Sequence, residues 1–218
     1  KRKLLGSSFD ADSEGEEGKY YVFKYEEISS IENIEKYFDI KPEGNWEGKI
    51  ILKEKTYPPE NIIKELKNIR KNKKKPAFDN KIQLDLNCLW VSSLIAAESV
   101  LPNKNFLKKA EIFFQEIELQ FLQGDLFHSS SKNVSFLEDY AYTINALIDL
   151  NEATLNPKYK LKAVEICNKV IDQFYIEEKK IFQKNKIRYN DIFYNPIDIS
   201  DHTIPNGNSI MLLNLTRL

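Results

Sequence analysis

From Leu84 onward, apolar residues recur at helical spacing in four long runs, Leu84 to Leu101, Phe106 to Leu122, Phe136 to Thr154 and Lys158 to Tyr175. The first run places Cys88, Leu89, Val91, Leu94 and Ile95 among its apolar positions; the second carries Phe106, Leu107, Ala110, Phe113, Phe114 and Ile117. The runs pair into hairpins separated by short breaks at Pro102 and Pro157. Ala96 aligns with Ala146 at a spacing of 50, and Ala110 with Ala163 at 53, so the hairpin is an internal repeat. A third unit opens near Asn206. In each pair the first helix is apolar on most sides and the second is amphipathic. Such hairpins cannot bury their apolar faces alone, and they must stack as a solenoid or close into a toroid. The first helices carry isolated polar groups suited to a central cavity, which favours closure. The expected fold is therefore all-α dominated, a partial (α/α)6 toroid with short β-hairpin insertions.

The first part of the chain is patterned differently. Residues 1–76 read as a loop- and strand-rich section of the same domain, ahead of the hairpins of residues 77–218. Lys19 to Phe23 reads as a short strand, and Tyr25 to Phe38 as one or two short helices with Ile28, Ile31 and Ile34 on one side. Gly44 and Gly48 flank Trp46 ahead of a brief strand at Ile50 to Leu52. A further helix starts near Pro58 and Pro59, carries Ile62, Ile63, Leu66 and Ile69, and is stopped by Pro76.

Composition narrows the partners. Lys and Arg number 32 against 33 Asp and Glu, and a formal charge of -1 gives no overall pull toward nucleic acid or an anionic membrane. The lysines at 71 and 73–75 read as a solvated helix end. No apolar run approaches the roughly 18 residues that span a bilayer. Cys88 and Cys167 sit in apolar helical patterns and read as buried thiols of a reducing compartment, so the expected location is cytoplasmic. The chain opens on Lys1 and closes on an uncapped helical pattern, so both ends read as cuts through a larger protein.

Candidate chemistry gathers in four places. Asp10, Asp12, Glu14, Glu16 and Glu17 fall within eight residues, a crowding that needs solvent, a cation or basic side chains to offset repulsion. The spacing of Asp10, Asp12, Glu14 and Gly15 opens like a calcium loop, but Tyr21 stands where the bidentate Glu belongs. The remaining readings are an unusual cation site, a cavity rim with the acids meeting Lys19, Lys81 or backbone donors, and a solvated loop.

The other three clusters lie where each first helix begins: Asp79, Lys81, Asp85 and Asn87; Glu138, Asp139, Tyr140 and Tyr142; Asp201, His202, Asn206, Asn208 and Ser209. In a toroid they converge on one mouth. Carboxylates and amides there suit a polyhydroxylated ligand, with Trp46, Tyr140 and Tyr142 offering flat faces. Asp139, Glu138, Asp79 and Asp201 are the candidate acids and bases, and Asp10, Asp12, Glu14, Trp46, Lys81, Asn87, Tyr140, His202 and Asn208 the candidate ligand-binding residues. Glu138 also completes a capping box with Ser135, a cap that leaves Asp139 free. With two histidines in the chain, and His128 in a serine-rich loop reading as a surface residue, no histidine-rich metal centre and no cofactor are expected.

The stretches FDADSEGEEGKYYVF (Phe9 to Phe23), EGNWEGKIIL (Glu43 to Leu52), KPAFDNK with LN (Lys75 to Lys81, Leu86 to Asn87), FLEDYAY (Phe136 to Tyr142) and IPNGNS (Ile204 to Ser209) occur in consistent order over nearly the whole chain. In these the chain resembles the helical-barrel portion of the thioredoxin-domain-containing family that includes spermatogenesis-associated protein 20. The resemblance implies a six-hairpin, glycosidase-like barrel without its upstream thioredoxin-like domain, and a carbohydrate-like ligand with no established reaction. The alternative is a noncatalytic scaffold or protein-interaction domain. Asn80, Leu86, His202 and Asn206 depart from the family pattern, where Asp, Trp, Gly and Ser are usual.

Overall fold

The computed structural model describes residues 4–101, 104–130, 134–186 and 194–218, so the predicted break at Pro102 lies outside the described residues. The chain divides into two compact units, residues 8–79 and residues 80–218 joined by the initial segment up to Ser7.

In the 8–79 unit the elements are β1 (Ser8–Phe9), β2 (Asp12–Ser13), β3 (Glu16–Glu17), α1 (Tyr25–Ile28), α2 (Ile34–Tyr37), α3 (Glu60–Lys71) and β4 (Phe78–Asp79). β1 and β4 pair antiparallel, Ser8 opposite Asp79, and β2 and β3 form a tight hairpin turning at Glu14 and Gly15, both with positive φ. Phe23, Ile28, Ile34, Ile50, Ile62 and Leu66 lie in the unit's own core.

The strand predicted over Lys19 to Phe23 is not formed. Gly18, at φ 72°, turns the chain, and Tyr21 N–H closes that turn on the Gly18 carbonyl at 2.8 Å. Val22 and Phe23 are then both buried in succession, against the alternation of a half-buried strand, and Phe23 alone bridges to Ile50. Ile50 makes that one bridge, so the strand expected at Ile50 to Leu52 is reduced to it. α3 begins as predicted after the proline pair but stops at Lys71, where Asn72 N–H bonds the Ile69 and Arg70 carbonyls. The following Asn-Lys-Lys-Lys offers no apolar side chain to bury, so the helix ends before reaching Pro76.

The second unit contains α4 (Leu84–Val100), α5 (Phe106–Phe121), α6 (Leu137–Thr154), α7 (Pro157–Phe174), the hairpin β5 (Tyr175–Ile176) and β6 (Ile181–Phe182), and α8 (Gly207–Arg217). α6 packs on α4, α7 and α8, and α5 packs on α4. The first helices of the repeat thus stand side by side and the second helices cover them, the arrangement of an α/α toroid.

Sequence explains the division of labour. α5 and α7 bury one stripe each, Ala110, Phe114, Ile117 and Phe121 in one and Ala163, Ile166, Val170 and Phe174 in the other. α6 is buried nearly all round, with Ala141, Thr143, Ala146, Leu147 and Leu150 at or near zero exposure. Small residues on α6 let its neighbours approach, and the Thr143 hydroxyl is satisfied by the Asp139 carbonyl at 2.7 Å. α6 ends at Leu155, in the left-handed region at φ 56°, and the Asn156 side chain caps α7 by accepting the Lys158 N–H. Among the described residues no helix is long and apolar enough to cross a membrane.

α8 is held to α6 at both ends. Asn214 Nδ2 donates to the Ala141 carbonyl at 2.8 Å, and Arg217 pairs with Asp149 and Glu152. At its start, Gly207 lies so close to Leu137 that an added Cβ would meet Leu137 Cγ and Cδ2 at 2.8 Å. Leu137 is buried and has little room to yield, so Gly207→Ala is expected to destabilise the protein by about 1–3 kcal/mol. Urea unfolding, followed by far-ultraviolet circular dichroism, measures this as a lower midpoint at unchanged slope.

Candidate functional site

The starts of α4, α6 and α8 share one end of the second unit, and a cavity of about 290 Å³ opens there. Its walls include Asp85, His128, Glu138, Lys184, His202 and Asn206. All belong to the 80–218 unit.

His128 reaches the cavity through a loop that also completes the entrance of α4. The Leu84 N–H, an orphan donor of the first turn, bonds the His128 carbonyl at 2.9 Å, and the His128 N–H bonds the Val134 carbonyl at 2.7 Å. Gln83 and Ser129 bridge antiparallel beside them. With its backbone fixed on both sides, the imidazole stands edge-on to Phe136, ring centroids 5.0 Å apart, and its Nδ1 lies 2.9 Å from Asp139 Oδ1.

Asp139 has no exposure to solvent. Its second oxygen, Oδ2, accepts the Phe136 N–H at 2.8 Å, which caps α6. The capping box expected from Ser135 and Glu138 is therefore shifted by one residue: Phe136 takes the cap position and Asp139 the acid position. The Ser135 hydroxyl instead faces the Tyr140 hydroxyl at 3.4 Å. Glu138 is left half-buried on the cavity wall.

The same geometry overturns the reading of His128 as a surface residue, since its side chain is 21% exposed and bonded to a fully buried carboxylate. Gln83 accords with one tautomer. Its Oε1 accepts the Ser7 hydroxyl, which turns its amide nitrogen toward His128 Nε2 at 3.3 Å. In the neutral ring the proton sits on Nδ1, facing Asp139, and Nε2 carries the lone pair.

Electrostatics reinforce the pairing. The Asp139 carboxylate accepting the Nδ1 proton pushes the His128 pKa above its usual 6.5. Burial raises Asp139, and Asp85 is raised by burial and then by the nearby Asp139 charge. The three groups thus retain protons to higher pH than they would in water. Each also offers a ligand atom within 4.8 Å of the others, the composition of a divalent-cation site. As the residues stand, Asp139 and His128 are at hydrogen-bond distance, 2.9 Å, and an ion could take Nδ1 only in place of a proton there.

The other sequence candidates are distributed as follows. Asp201 is exposed and accepts from Asn206 twice, from the backbone N–H at 2.9 Å and from the side chain at 2.8 Å, and these bonds hold its pKa low. Asn206 in turn caps α8 by accepting the Ser209 N–H. Asn208 links that helix to β6, exchanging bonds with the Phe182 N–H and carbonyl. Asn87 is buried and pins the initial segment, accepting the Leu5 N–H at 2.9 Å. Tyr140 is buried against Phe174, while Tyr142 donates its hydroxyl to the Pro205 carbonyl and is raised by burial to about 12. Lys81 is exposed in the lead into α4. Asp10, Asp12, Glu14, Trp46 and Asp79 belong to the 8–79 unit, where Asp10 Oδ1 accepts the Asp12 N–H and Trp46 turns back on Lys49.

Lys184, bridged to Asp198 at 2.9 Å, is a cavity residue that no motif in the sequence signals.

No protein-family model matches this chain, and no curated protein matches it. Among solved structures it is similar to the cellobiose 2-epimerase of Bacillus thermoamylovorans, with a TM-score of 0.52 at 17% sequence identity, over 63% of this chain and 39% of that one. The chain thus spans well under half of that enzyme's length. The likeness is one of fold, and it supports the stacked hairpins being part of an (α/α)6 toroid.

The sign of the His128 shift gives a prediction. A pKa raised on folding contributes stability that is complete below the unfolded value, near 6.5, and is lost as pH rises through the folded value. Asp139→Asn is expected to return the His128 midpoint toward about 6.5 and to flatten the fall in stability above it. Proton NMR titration of the two imidazoles, with melting temperature recorded between pH 6 and 9 in parallel, reads both effects.

Proposed function

We propose that the cavity at the starts of α4, α6 and α8 binds and processes a carbohydrate-like ligand, with His128 exchanging a proton with it. The reading rests on one observation, the pairing of His128 Nδ1 with the fully buried Asp139 carboxylate beside a polar cavity. A carboxylate so placed orients the ring, sets its tautomer and raises its basicity, which are the attributes of a general base. Sugar hydroxyls would meet Glu138, Asn206 and His202 on the walls. Asp139 acts through His128, Glu138 is the candidate partner acid, and Asp201 serves by ordering Asn206. A cellobiose 2-epimerase shares the fold, and epimerisation beside a carbonyl needs a base to take a carbon-bound proton and an acid to return one.

The motifs from Phe9 to Ser209 support placing the chain with the thioredoxin-domain-containing family, whose fuller members add a thioredoxin-like domain upstream. Buried free thiols at Cys88 and Cys167 accord with a cytoplasmic location.

A second reading, a noncatalytic scaffold, draws on how many acids already have partners. Asp201 holds Asn206, Glu16 meets Lys19 and Lys49, and Glu27 meets Lys73.

The two readings separate in one assay. The protein is incubated in D₂O with reducing disaccharides, and proton NMR follows loss of the carbon-bound proton next to the anomeric centre, while calorimetry measures binding. His128→Asn is expected to cut turnover by about 10²–10⁴-fold while changing sugar affinity by less than about tenfold. Absence of both binding and exchange for every sugar would leave the scaffold reading.

A further inference from the structure

A second cavity, of about 520 Å³, lies wholly within the 8–79 unit, framed by the acidic β2–β3 hairpin, the turn at Lys19 and Tyr20, and the end of α3. Its walls carry five lysines against three glutamates, although the hairpin itself is acidic. Most of that charge is already matched. Glu16 accepts from Lys19 at 2.9 Å and Lys49 at 2.8 Å, and these contacts, the one with Lys49 foremost, pull its pKa down to about 2. Glu14 stands 3.4 Å from Lys19. Lys73 is 19% exposed, donates to Glu27 and to the Val22 carbonyl, and lies 4.6 Å from the centre of the Phe23 ring.

Two cations remain. Among the described residues no carboxylate lies at ion-pair distance from Lys24 or Lys74, although the Lys24 charge still acts on Glu27, and both stand exposed on the cavity wall. Lys74 is nevertheless fixed along its backbone, because its carbonyl accepts the buried Ser13 hydroxyl at 2.5 Å. Lys24 is fixed in the same way by its N–H, which donates to Glu27 at 2.7 Å. The lining also includes buried Val22 and Phe23, the latter beneath Lys73, and the half-buried ring of Tyr20, with the Arg70 guanidinium 5.8 Å from its centre. The ion pairs frame the cavity, and the excess of lysines over glutamates leaves a net positive field over its apolar base.

We propose that this cavity is a binding site for a small phosphate monoester, its phosphate held by Lys24 and Lys74 and its apolar or ring-shaped body resting on Tyr20, Val22 and Phe23. Lysine ammoniums act on phosphate as point charges, and a net positive concavity favours a dianion over a singly charged carboxylate. The volume exceeds what inorganic phosphate needs and falls in the range of small-molecule sites. The site is independent of the sugar cavity and of the reading given to it.

The test uses the full chain, with phenyl phosphate, methyl phosphate and benzyl alcohol as probes in calorimetry at low and at physiological salt. Phenyl phosphate is expected to bind at least tenfold more tightly than methyl phosphate, benzyl alcohol not at all, and affinity to fall with salt. The double variant Lys24→Ala/Lys74→Ala is expected to weaken phenyl phosphate by at least tenfold. A control with the same charge loss on α3, Lys64→Ala/Lys67→Ala, is expected to leave it within twofold. No binding of phenyl phosphate, or equal losses in the two double variants, would overturn the proposal. All four lysines are exposed, so the variants are expected to keep the wild-type melting temperature.

Discussion

One carboxylate, that of Asp139, ties together the parts of the second unit on which the cavity at the helix starts depends. Through Oδ2 it ends the run of unsatisfied donors at the start of α6, and through Oδ1 it holds the ring of His128. Because Asp139 is wholly buried, leaving either oxygen without its donor would cost far more than the same loss at the surface. The loop carrying His128 also completes the start of α4, so the two inner helices are joined by way of that imidazole. The chemistry and the packing of this end are one arrangement.

That arrangement answers a conflict inherent in stacked hairpins. An inner helix such as α6 must be apolar on nearly all sides, yet its first N–H groups need acceptors. The three inner helices meet this in three ways: α4 uses a loop carbonyl, α6 its own Asp139, and α8 the side chain of Asn206 held by Asp201. Polar groups therefore concentrate at the same end for a structural reason. Those that the caps leave over, Glu138, Lys184 and the outer edge of His128, whose Nε2 lies 3.3 Å from the Gln83 amide nitrogen, line the cavity.

The helical hairpins were legible because periodicity reports burial directly: the bounds of α4 to α7 fall within a residue or so of the expected runs, and α8 opens at the third repeat. The Lys19 to Phe23 segment misled because its aromatic residues imitate alternation, whereas Gly18 commits the backbone to a turn. The cap of α6 was misassigned by one residue because Ser135 with Glu138 and Phe136 with Asp139 share the same spacing, and preference favours Ser at the cap. Backbone donation to Asp139 needs no particular side chain at the cap position, so nothing in the residue type revealed it. His128 was hidden for a related reason, since its significance lies in a contact across 11 positions of sequence through a loop of otherwise ordinary polar residues.

The central claim is that His128, oriented by Asp139, faces a bound sugar. Its most direct test is a crystal of the protein soaked in cellobiose. The account predicts density for a sugar ring in the cavity between Glu138 and Asn206, with a carbon or hydroxyl of that ring within about 3.5 Å of His128 Nε2. A well-ordered crystal whose cavity stays empty at saturating sugar, or a sugar bound with His128 turned away from it, would contradict the account.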